Sequence, residues 1–408
     1  MQYINKQPKS EQSNYVAVCY DEFSWRTTPM THMPVVLLGT GLYTPKDSIS
    51  NDELVATFNQ YVAQFNQEHA ADIAAGTVEA LAESSSAFIE KASGIKSRFV
   101  VDKAGILNPN IMKPQFAPRS NDELSLQAEI GVAAAKQALD NAGVNAADID
   151  MVIVANSNMQ RAYPAMAVEI QSELGCGGFA FDMNVACSSA TFGVQMAANA
   201  IAAGSAKRVL IVNAEICTAH LNFRERDSHF IFGDAATALV LVHQDLVDPA
   251  DGHKGFNIVD TSLWTQFSNN IRNNAGFLNR AEVDNDPLAA DKLFVQNGRK
   301  VFKEVCPAVG EHIVNHLHKN QIEPTQVARF WLHQANLTMN ELISKRVLGR
   351  PATAEESPTI LDTYANTSSA GSVIAMHLHH ADMQPGDLGV LSSFGAGYSI
   401  GSVILEKR

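Results

Sequence analysis

The stretch Phe181-Asp-Met-Asn-Val-Ala-Cys187-Ser-Ser-Ala-Thr-Phe-Gly193 decides the fold. It opens as an apolar strand, turns at Cys187, and continues into Val194–Ala203, a run of good helix formers without Pro or Gly. A thiol at the start of a helix lies near the positive end of the helix dipole, which favours the nucleophilic thiolate over the thiol. The small residues around Cys187 also leave room for a substrate. We therefore expect a reactive cysteine; the alternative is a buried structural cysteine, the commoner role of a lone cysteine.

The chain also contains an internal repeat, because segments of its first half recur in the same order in its second half. The first two matches are separated by almost the same distance along the chain, from position 139 to 317 and from position 186 to 365. The matched pairs are Leu139–Val154 with Leu317–Leu332, Ala186–Ala190 with Ala365–Ser369, and Phe232–Leu241 with Phe394–Val403. The repeat predicts two copies of one α/β unit packed as pseudo-symmetric halves, at residues 34–245 and 246–408, behind an N-terminal arm at 1–33.

Apolar runs and turn residues place the elements of the first half. Strands are predicted at 34–45, 151–155 and 208–214, helices at about 121–142 and 165–174, and a short strand at 15–20 in the arm. A helix starts at 50–53, residues 57–87 are mostly helical, and residues 103–120 form an irregular loop. The alternation of strands and helices predicts a largely parallel sheet that is covered on both faces.

Composition limits the classes of function. The 408 residues are 46% hydrophobic and 18% charged, with a formal net charge of −13, which argues against broad surfaces for nucleic acid or anionic membranes. Apolar runs long enough to span a membrane are absent from the sequence, and the arm at 1–33 lacks the apolar core of a signal peptide. The five cysteines follow no disulfide or metal-binding pattern. We therefore expect a cytoplasmic protein without a metal or other cofactor.

Superposing the two halves brings three polar residues to one place. Cys187 occupies the corner that Asn366 takes in the second half, and His333 follows a predicted strand at 330–332. Ligands of open α/β sheets bind beyond the carboxyl ends of the strands, so the three side chains should face one site between the halves. Alone, His333 is an ordinary polar residue at a strand end and Asn366 an ordinary cap. Their matching positions in a repeat favour a catalytic set.

This Cys–His–Asn set resembles the thiolase superfamily and, within it, the β-ketoacyl-acyl-carrier-protein synthase III family. The resemblance covers about residues 34–408 and implies a five-layered αβαβα fold and a homodimer. It implies that an acyl group moves from coenzyme A to the cysteine, and that malonyl-carrier protein then loses carbon dioxide and attacks the acyl-enzyme. The motifs that carry it are Ala186-Cys-Ser188, His333-Gln-Ala-Asn336, Asn366-Thr-Ser368, Phe232-Gly-Asp234 and Phe394-Gly-Ala-Gly397.

The resemblance implies a role for each residue of the set. Cys187 is the nucleophile, and His333 and Asn366 donate hydrogen bonds to the enolate oxygen that forms when malonyl loses carbon dioxide. The backbone N–H groups of Cys187 and Ala396 form the oxyanion hole for acyl transfer.

Substrate contacts are implied as well. Phe232, Phe394 and Asn336 are expected to bind substrate. Tyr163 stands where the family has an aromatic residue that reaches from one subunit into the acyl pocket of the other, so it is a candidate determinant of chain length.

The donor entrance departs from the family pattern. Phe88 and Arg226 match the residues that stack on the two faces of the adenine ring of coenzyme A, but Ala92 stands where a phosphate-binding arginine is usual. Insertions at about 57–80 and 103–118 flank this region. They are expected to remodel the entrance.

A local basic patch is the expected dock for the acidic acyl carrier protein. Two groups are candidates, Arg299, Lys300 and Lys303 on one predicted helix and Lys345 and Arg346 on another. The alternative is that both are ordinary solvated helix faces.

Two other functions compete with decarboxylative condensation. The first is a non-decarboxylative condensing enzyme or a thioester hydrolase of the same superfamily. Relatives that deprotonate the second substrate carry a Glu in the stretch that matches residues 155–162. That stretch contains neither Glu nor Asp, which disfavours this alternative. The second is a catalytically silent subunit, which the intact Cys187, His333 and Asn366 disfavour.

Overall fold

A computed structural model describes residues 33–248, 254–286 and 289–408. The predicted arm lies outside these residues except for Met33, and so does its short strand at 15–20. In the described segments, no helix has the length and apolarity that crossing a membrane requires.

The strands of the described residues form one large sheet and two small ones. In chain order they are β1 (Val35–Tyr43), β2 (Asp47–Ser50), β3 (Ser97–Val100), β4 (Met151–Ala155), β5 (Phe179–Met183), β6 (Arg208–Ile216), β7 (Asp234–His243), β8 (Phe256–Ser268), β9 (Ile271–Arg272), β10 (Val295–Gln296), β11 (Val327–Leu332), β12 (Leu388–Gly395) and β13 (Gly397–Lys407).

The α-helices lie between and outside these strands. In chain order they are α1 (Asn51–Glu68), α2 (Ala70–Ala74), α3 (Ser86–Ser93), α4 (Lys103–Ile106), α5 (Leu126–Ala142), α6 (Met166–Leu174), α7 (Ser189–Ala202), α8 (Gly298–Lys319), α9 (Leu337–Leu348), α10 (Leu361–Tyr364) and α11 (Ala370–Leu378).

The large sheet shows the two halves directly. Its order is β11-β12-β13-β8-β1-β7-β6-β4-β5, so the first half supplies one side and the second half the other. The halves meet where β1 pairs with β8, through Val36 with Asn257 and Leu37 with Phe256. The strands β4, β5 and β6 pair in parallel, as do β11 and β12, whereas the other ladders of this sheet are antiparallel. The sheet is therefore mixed, and the prediction of a largely parallel sheet was wrong, because β7 and β13 each turn back beside the preceding strand.

The side chains of each strand alternate between two cores, and this alternation produces five layers. In β6, Val209 and Ile211 enter a central core that also contains Ala197 of α7 and Ile374 of α11, while Leu210 faces a core shared with α5 and α6. The strand β13 likewise contributes to the central core and to a third core that it shares with α8 and α9. Two helical layers therefore lie outside and one lies between the two sides of the large sheet, as the predicted αβαβα fold requires.

Most of the predicted first-half elements agree with the structure. Ser50 begins α1 with a capping box, in which its side chain accepts from the Glu53 N–H and the Glu53 side chain accepts from the Ser50 N–H. The helix predicted over 57–87 ends early, because residues 75–85 are not helical. The side-chain amides of Asn59 and Asn66 on α1 each exchange two hydrogen bonds with the backbone of Ser84 and Leu81, and these bonds replace helical ones.

Candidate active site

A cavity of about 390 Å³ lies between the two halves. Cys187, His333 and Asn366 all line it, so the structure brings the three predicted residues to one site. They come from three places in the fold: Cys187 lies between β5 and α7, His333 follows β11 directly, and Asn366 lies between α10 and α11.

The residues that precede Cys187 and Asn366 both have a positive φ. Ala186, which precedes Cys187, has a φ of 47°, and Ala365, which precedes Asn366, has a φ of 55°. Non-glycine residues are uncommon at positive φ, and strain of this kind is concentrated at functional sites. The shared conformation supports the match between the two corners that the repeat predicted.

Gly395 allows the second half to approach the nucleophile closely. A Cβ at this position would lie 2.7 Å from Cβ and 3.1 Å from Sγ of Cys187. Contacts this short are not tolerated, so the turn after β12 reaches Cys187 only because residue 395 has no side chain. The close approach places the N–H of Ala396 beside the sulfur.

The sulfur of Cys187 faces several hydrogen-bond donors. The backbone N–H groups of Cys187 and Ala396 interact with it, and the hydroxyl of Ser368 donates to it over 3.4 Å. These two N–H groups are the predicted oxyanion hole, and they converge on the atom beside which the oxyanion would form. Ser368 belongs to a quoted motif but had no predicted role.

The expected thiolate is not the resting form of Cys187. The pKa of the thiol is raised to about 11, chiefly by burial; the Ser368 hydroxyl and the two backbone N–H groups oppose this shift, and the Glu215 carboxylate adds to it. The expectation of a lowered pKa was wrong, because α7 begins two residues beyond Cys187 and desolvation outweighs the donors.

His333 is buried and electrically neutral near pH 7. Burial lowers its pKa to about 4, and a hydrogen bond to the backbone of Ser368 opposes this shift only weakly. Its ring packs edge-on against Phe394, with ring centres 5.1 Å apart. Its Nδ1 has no hydrogen-bond partner among the described residues. A neutral imidazole carries one N–H, so it can serve as the donor that the sequence predicted.

The side chain of Asn366 has a defined orientation. Its Oδ1 accepts a hydrogen bond of 2.8 Å from the N–H of Ser368, which leaves the Nδ2 amide as a donor group. Its backbone is held by the first half, because its N–H donates to Ile231 and its carbonyl accepts from Gly233. Asn366 is therefore placed by residues of both halves.

Sequence reasoning missed a carboxylate near the cysteine. Glu215 in β6 is buried and accepts hydrogen bonds from Ser157, inside the very stretch 155–162 that contains no acid of its own. Glu215 lies on β6, after the whole of α7, so the local motif around Cys187 carried no signal for it. Glu215 is not among the residues that line the cavity.

The predicted adenine-binding pair lies at the donor entrance, but its members touch each other. The guanidinium of Arg226 lies 4.4 Å from the ring centre of Phe88, and its Nε donates to the carbonyl of Glu83. A flat ring stacked between the two groups requires the Arg226 guanidinium and the Phe88 ring to be roughly 7 Å apart. Adenine therefore fits only if Phe88 and Arg226 separate. Phe88 and Ala92 line the cavity, whereas Arg226 does not.

The other predicted substrate residues divide into two groups. Phe232, Phe394 and Asn336 line the cavity, but Asn336 also donates to the carbonyl of Ala92 and caps α9. Tyr163 does not line the cavity of its own chain and is 84% exposed. The exposure of Tyr163 agrees with the expectation that its side chain serves a second subunit.

The candidate carrier-docking residues are exposed on two helices. Arg299, Lys300 and Lys303 lie in the first turns of α8, beside cavity residues Val301 and Phe302. Lys345 and Arg346 lie in the last turn of α9, which packs against α8. None of these five cations forms an ion pair with a residue that the structure describes.

Within residues 33–248, 254–286 and 289–408, no three His, Cys, Asp or Glu side chains are grouped to bind a metal ion. The described cysteines, at 176, 187, 217 and 306, are all free thiols.

Comparison with known protein families gives two matches. The family described as 3-oxoacyl-[acyl-carrier-protein (ACP)] synthase III matches residues 181–263, and the C-terminal domain of the same synthase matches residues 317–407. The first match contains Cys187 and the second contains His333 and Asn366.

Curated relatives and solved structures agree with these matches. A β-ketodecanoyl-[acyl-carrier-protein] synthase of Pseudomonas aeruginosa is 64% identical over 352 residues, 86% of this chain and 99% of that protein. A β-ketoacyl-[acyl-carrier-protein] synthase III of Ehrlichia canis is 27% identical and covers 91% of this chain and 98% of its own. The crystal structure of 3-oxoacyl-[acyl-carrier-protein] synthase III from Aquifex aeolicus has a TM-score of 0.69 at 23% identity, over 91% of this chain and 99% of that one. The last likeness concerns the fold.

Proposed function

Because the chain belongs to the 3-oxoacyl-[acyl-carrier-protein] synthase III family, as its 64% identity to the Pseudomonas enzyme over 86% of its length shows, we propose that it makes a β-ketodecanoyl thioester. The enzyme is an acyltransferase that joins an acyl thioester to malonyl-carrier protein with loss of carbon dioxide. Malonyl supplies two carbons to the product, so a ten-carbon β-ketodecanoyl group requires an eight-carbon donor. Octanoyl-coenzyme A is therefore the donor proposed here.

The first half-reaction transfers the acyl group to Cys187. The thiol attacks the thioester carbonyl, and the developing oxyanion is held by the N–H groups of Cys187 and Ala396, which already face the sulfur. The carbon–sulfur bond of the donor breaks as the new one forms. The proton of Cys187 ends on the departing thiol of coenzyme A, so no net proton is released. Because the resting thiol has a raised pKa, removal of its proton belongs to this step.

The second half-reaction generates the carbanion. Malonyl loses carbon dioxide, and the enolate oxygen that develops accepts hydrogen bonds from the neutral His333 ring and the Asn366 amide. The enolate carbon then attacks the acyl-enzyme, and the sulfur of Cys187 leaves as the thiolate, which takes up one proton from solvent to restore the resting thiol. The N–H groups of Cys187 and Ala396 and the Ser368 hydroxyl stabilise this leaving group.

The observation that carries this proposal is the placement of Cys187, His333 and Asn366 on one cavity that lacks a lining carboxylate suited to act as a base. Asp227 lies at the exposed end, and Glu215 is enclosed by serine donors outside the lining. The non-decarboxylative alternative needs a carboxylate that reaches the second substrate. The cavity therefore supports decarboxylation.

We extend the proposal to a homodimer. The strand β5 is an edge of the large sheet, and Phe179 at its start is 46% exposed. Unpaired edge strands and exposed aromatic residues favour association with another chain. Pairing through this edge would bring a second subunit within reach of the exposed Tyr163. The four free cysteines of the described residues suit a reducing compartment, which supports a cytoplasmic location.

Intact-protein mass spectrometry tests the donor. The enzyme is mixed with equal concentrations of acetyl-, octanoyl- and dodecanoyl-coenzyme A, and the mass added to Cys187 is measured over time. We expect the octanoyl adduct to form fastest, and no adduct on Cys187→Ala. Preferential acetylation would contradict the proposed donor, while leaving the condensing activity in place.

A further inference from the structure

The two N–H groups of the oxyanion hole come from different halves of the chain. Cys187 lies at the corner before α7 in the first half, and Ala396 lies between β12 and β13 in the second half. The two segments approach closely at Gly395, where a Cβ would lie 3.3 Å from the backbone nitrogen of Cys187. One oxygen can accept from both N–H groups only if each lies roughly 2.7–3.1 Å from it. The hole therefore depends on a contact that fixes the two halves relative to each other at this point.

Two buried serines form such a contact. Ser188 immediately follows Cys187, and Ser399 lies near the start of β13. The hydroxyl of Ser188 donates to the backbone carbonyl of Ser399 over 3.0 Å. The Oγ atoms of the two serines are themselves 2.9 Å apart, which is within hydrogen-bond distance. The pair therefore joins the residue next to one oxyanion donor to the strand that follows the other donor.

The side chain of Ser399 also contacts the backbone of both turns. Its Oγ lies 2.9 Å from the carbonyl oxygen of Ala396 and 3.4 Å from the carbonyl oxygen of Val185, two residues before Cys187. A hydroxyl carries one proton, so Ser399 donates to one of its acceptors at a time. Because these acceptors belong to both halves, the Ser399 hydroxyl can bond to either side of the oxyanion hole.

The helix and the strand beside these serines are closely packed. A Cβ at Gly401 on β13 would lie only 2.1 Å from Oγ1 of Thr191, in the first turn of α7. The start of α7 therefore rests directly on β13 because residue 401 has no side chain. A buried hydroxyl without a hydrogen-bond partner is unfavourable, so Ser188 and Ser399 stabilise this contact through each other.

We propose that Ser188 and Ser399 are positioning residues that set the separation between the two N–H donors of the oxyanion hole. The inference rests on the acyl transfer to Cys187 proposed above, and it identifies the side chains that fix the geometry of that step. Neither serine lines the cavity, so both act through Cys187 and Ala396 rather than on the substrate.

The test is the rate at which Cys187 is acylated in a single turnover, followed by intact-protein mass spectrometry with the acyl-coenzyme A that the wild type accepts fastest. Because a misplacement of about 1 Å can cost ~10²-fold in rate, we expect Ser399→Ala to lower the maximal acylation rate at least about tenfold. The concentration of donor that gives half of this rate should be unchanged, since the hydroxyl does not touch the donor.

Ser188→Ala breaks the same contact from the first half of the chain. It should reproduce the loss, and it decides the question even if Ser399→Ala does not fold. The double variant should be no slower than the slower single variant, because the two hydroxyls act as one unit. Acylation at the wild-type rate in Ser188→Ala and Ser399→Ala would overturn the proposal.

Decarboxylation separates this positioning role from general damage to the site. The enolate oxygen of that step is held by His333 and Asn366 and not by the oxyanion hole. Adding Ser399→Ala to Cys187→Ala should therefore leave the release of carbon dioxide from malonyl-carrier protein unchanged. A parallel loss of decarboxylation would show that the substitution disturbs the whole site, which would contradict the proposed role.

Ser372→Ala is the matched control. Ser372 on α11 and Ser393 on β12 are also buried and their Oγ atoms are 3.0 Å apart, but both belong to the second half and neither hydroxyl bonds to Cys187 or Ala396. This variant should be acylated at the wild-type rate, and a loss equal to that of Ser399→Ala would overturn the proposal. A wild type that takes up no acyl group from coenzyme A would instead contradict the proposed acyl transfer itself.

Discussion

The hydroxyl of Ser368 donates a hydrogen bond to Sγ of Cys187 over 3.4 Å. The donor belongs to the second half of the chain and the nucleophile to the first, so the sulfur of Cys187 lies where the two halves are in contact. The same serine donates its backbone N–H to Asn366 and interacts with His333. One residue therefore contacts all three members of the predicted catalytic set.

The two half-reactions should separate by mutation. His333→Ala and Asn366→Ala each remove one donor to the enolate oxygen, a loss that typically costs ~10²–10³ in rate, or about 2.7–4 kcal/mol. We expect both variants to accept octanoyl groups on Cys187 but to release almost no carbon dioxide from malonyl-carrier protein. Cys187→Ala should form no acyl-enzyme and retain some decarboxylation. The measurements are intact mass and released carbon dioxide.

His312→Ala is the control for these variants, because His312 on α8 is half-buried and does not line the cavity. Both half-reactions should be unchanged in it. Loss of acylation with retained malonyl turnover in His333→Ala would mean that His333 acts mainly as a base for Cys187, which would favour the hydrolase alternative.

The pH dependence of the two half-reactions should differ. The pKa of Cys187 is about 11, so each unit of pH below this value lowers the thiolate fraction about tenfold. Alkylation of the free enzyme should therefore rise with pH through about pH 9 without a plateau. The pKa of His333 is about 4, so this group stays neutral from about pH 6 to pH 9. Decarboxylation by Cys187→Ala should be flat over that range. An alkylation plateau near neutral pH would show that the thiolate is the resting form after all.

The sequence was sufficient for the fold class and for the meeting of Cys187, His333 and Asn366. The resemblance to the synthase III family implied the five-layered fold, whereas the two halves and the meeting of the three side chains follow from an internal repeat and from strand–turn–helix corners, which are local patterns. The structure adds that Ala186 and Ala365 share a positive φ, which neither alanine reveals in a sequence.

The features that the sequence could not show depend on contacts between residues that are far apart in the chain. The raised pKa of Cys187 follows from desolvation and from Glu215, which lies on β6 beyond the whole of α7, and a local motif contains neither. The same holds for the early end of the helix predicted over 57–87. There the hydrogen bonds from the side-chain amides of Asn59 and Asn66 to the backbone of Ser84 and Leu81 outweigh favourable helix propensity.

Tyr163 should limit the donor chain. If it closes the acyl pocket of a second subunit, Tyr163→Ala opens volume there and shifts the acylation profile toward donors longer than octanoyl. One methylene in such a pocket is worth roughly 1–3 kcal/mol, so the shift should be visible in kcat/KM. Tyr163→Phe keeps the ring and should keep the profile. An unchanged profile in Tyr163→Ala would place the end of the acyl chain elsewhere.

The carrier protein should dock on the basic helices α8 and α9. Replacing Lys303 and Lys345 by Glu should raise the KM for malonyl-carrier protein, and the effect should grow as the salt concentration falls. Lys136→Glu on α5 is the matched control, since Lys136 is exposed but lies in the opposite outer layer. Equal KM values in the wild type, the control and the double variant would exclude this surface as the dock.

The most direct test of the proposed reaction is to incubate the enzyme with octanoyl-coenzyme A and malonyl-carrier protein and to measure both products. We predict that carbon dioxide and β-ketodecanoyl-carrier protein appear in equal amounts, and that neither forms at an appreciable rate with Asn366→Ala. Free octanoic acid, or a condensed product formed without release of carbon dioxide, would contradict the account.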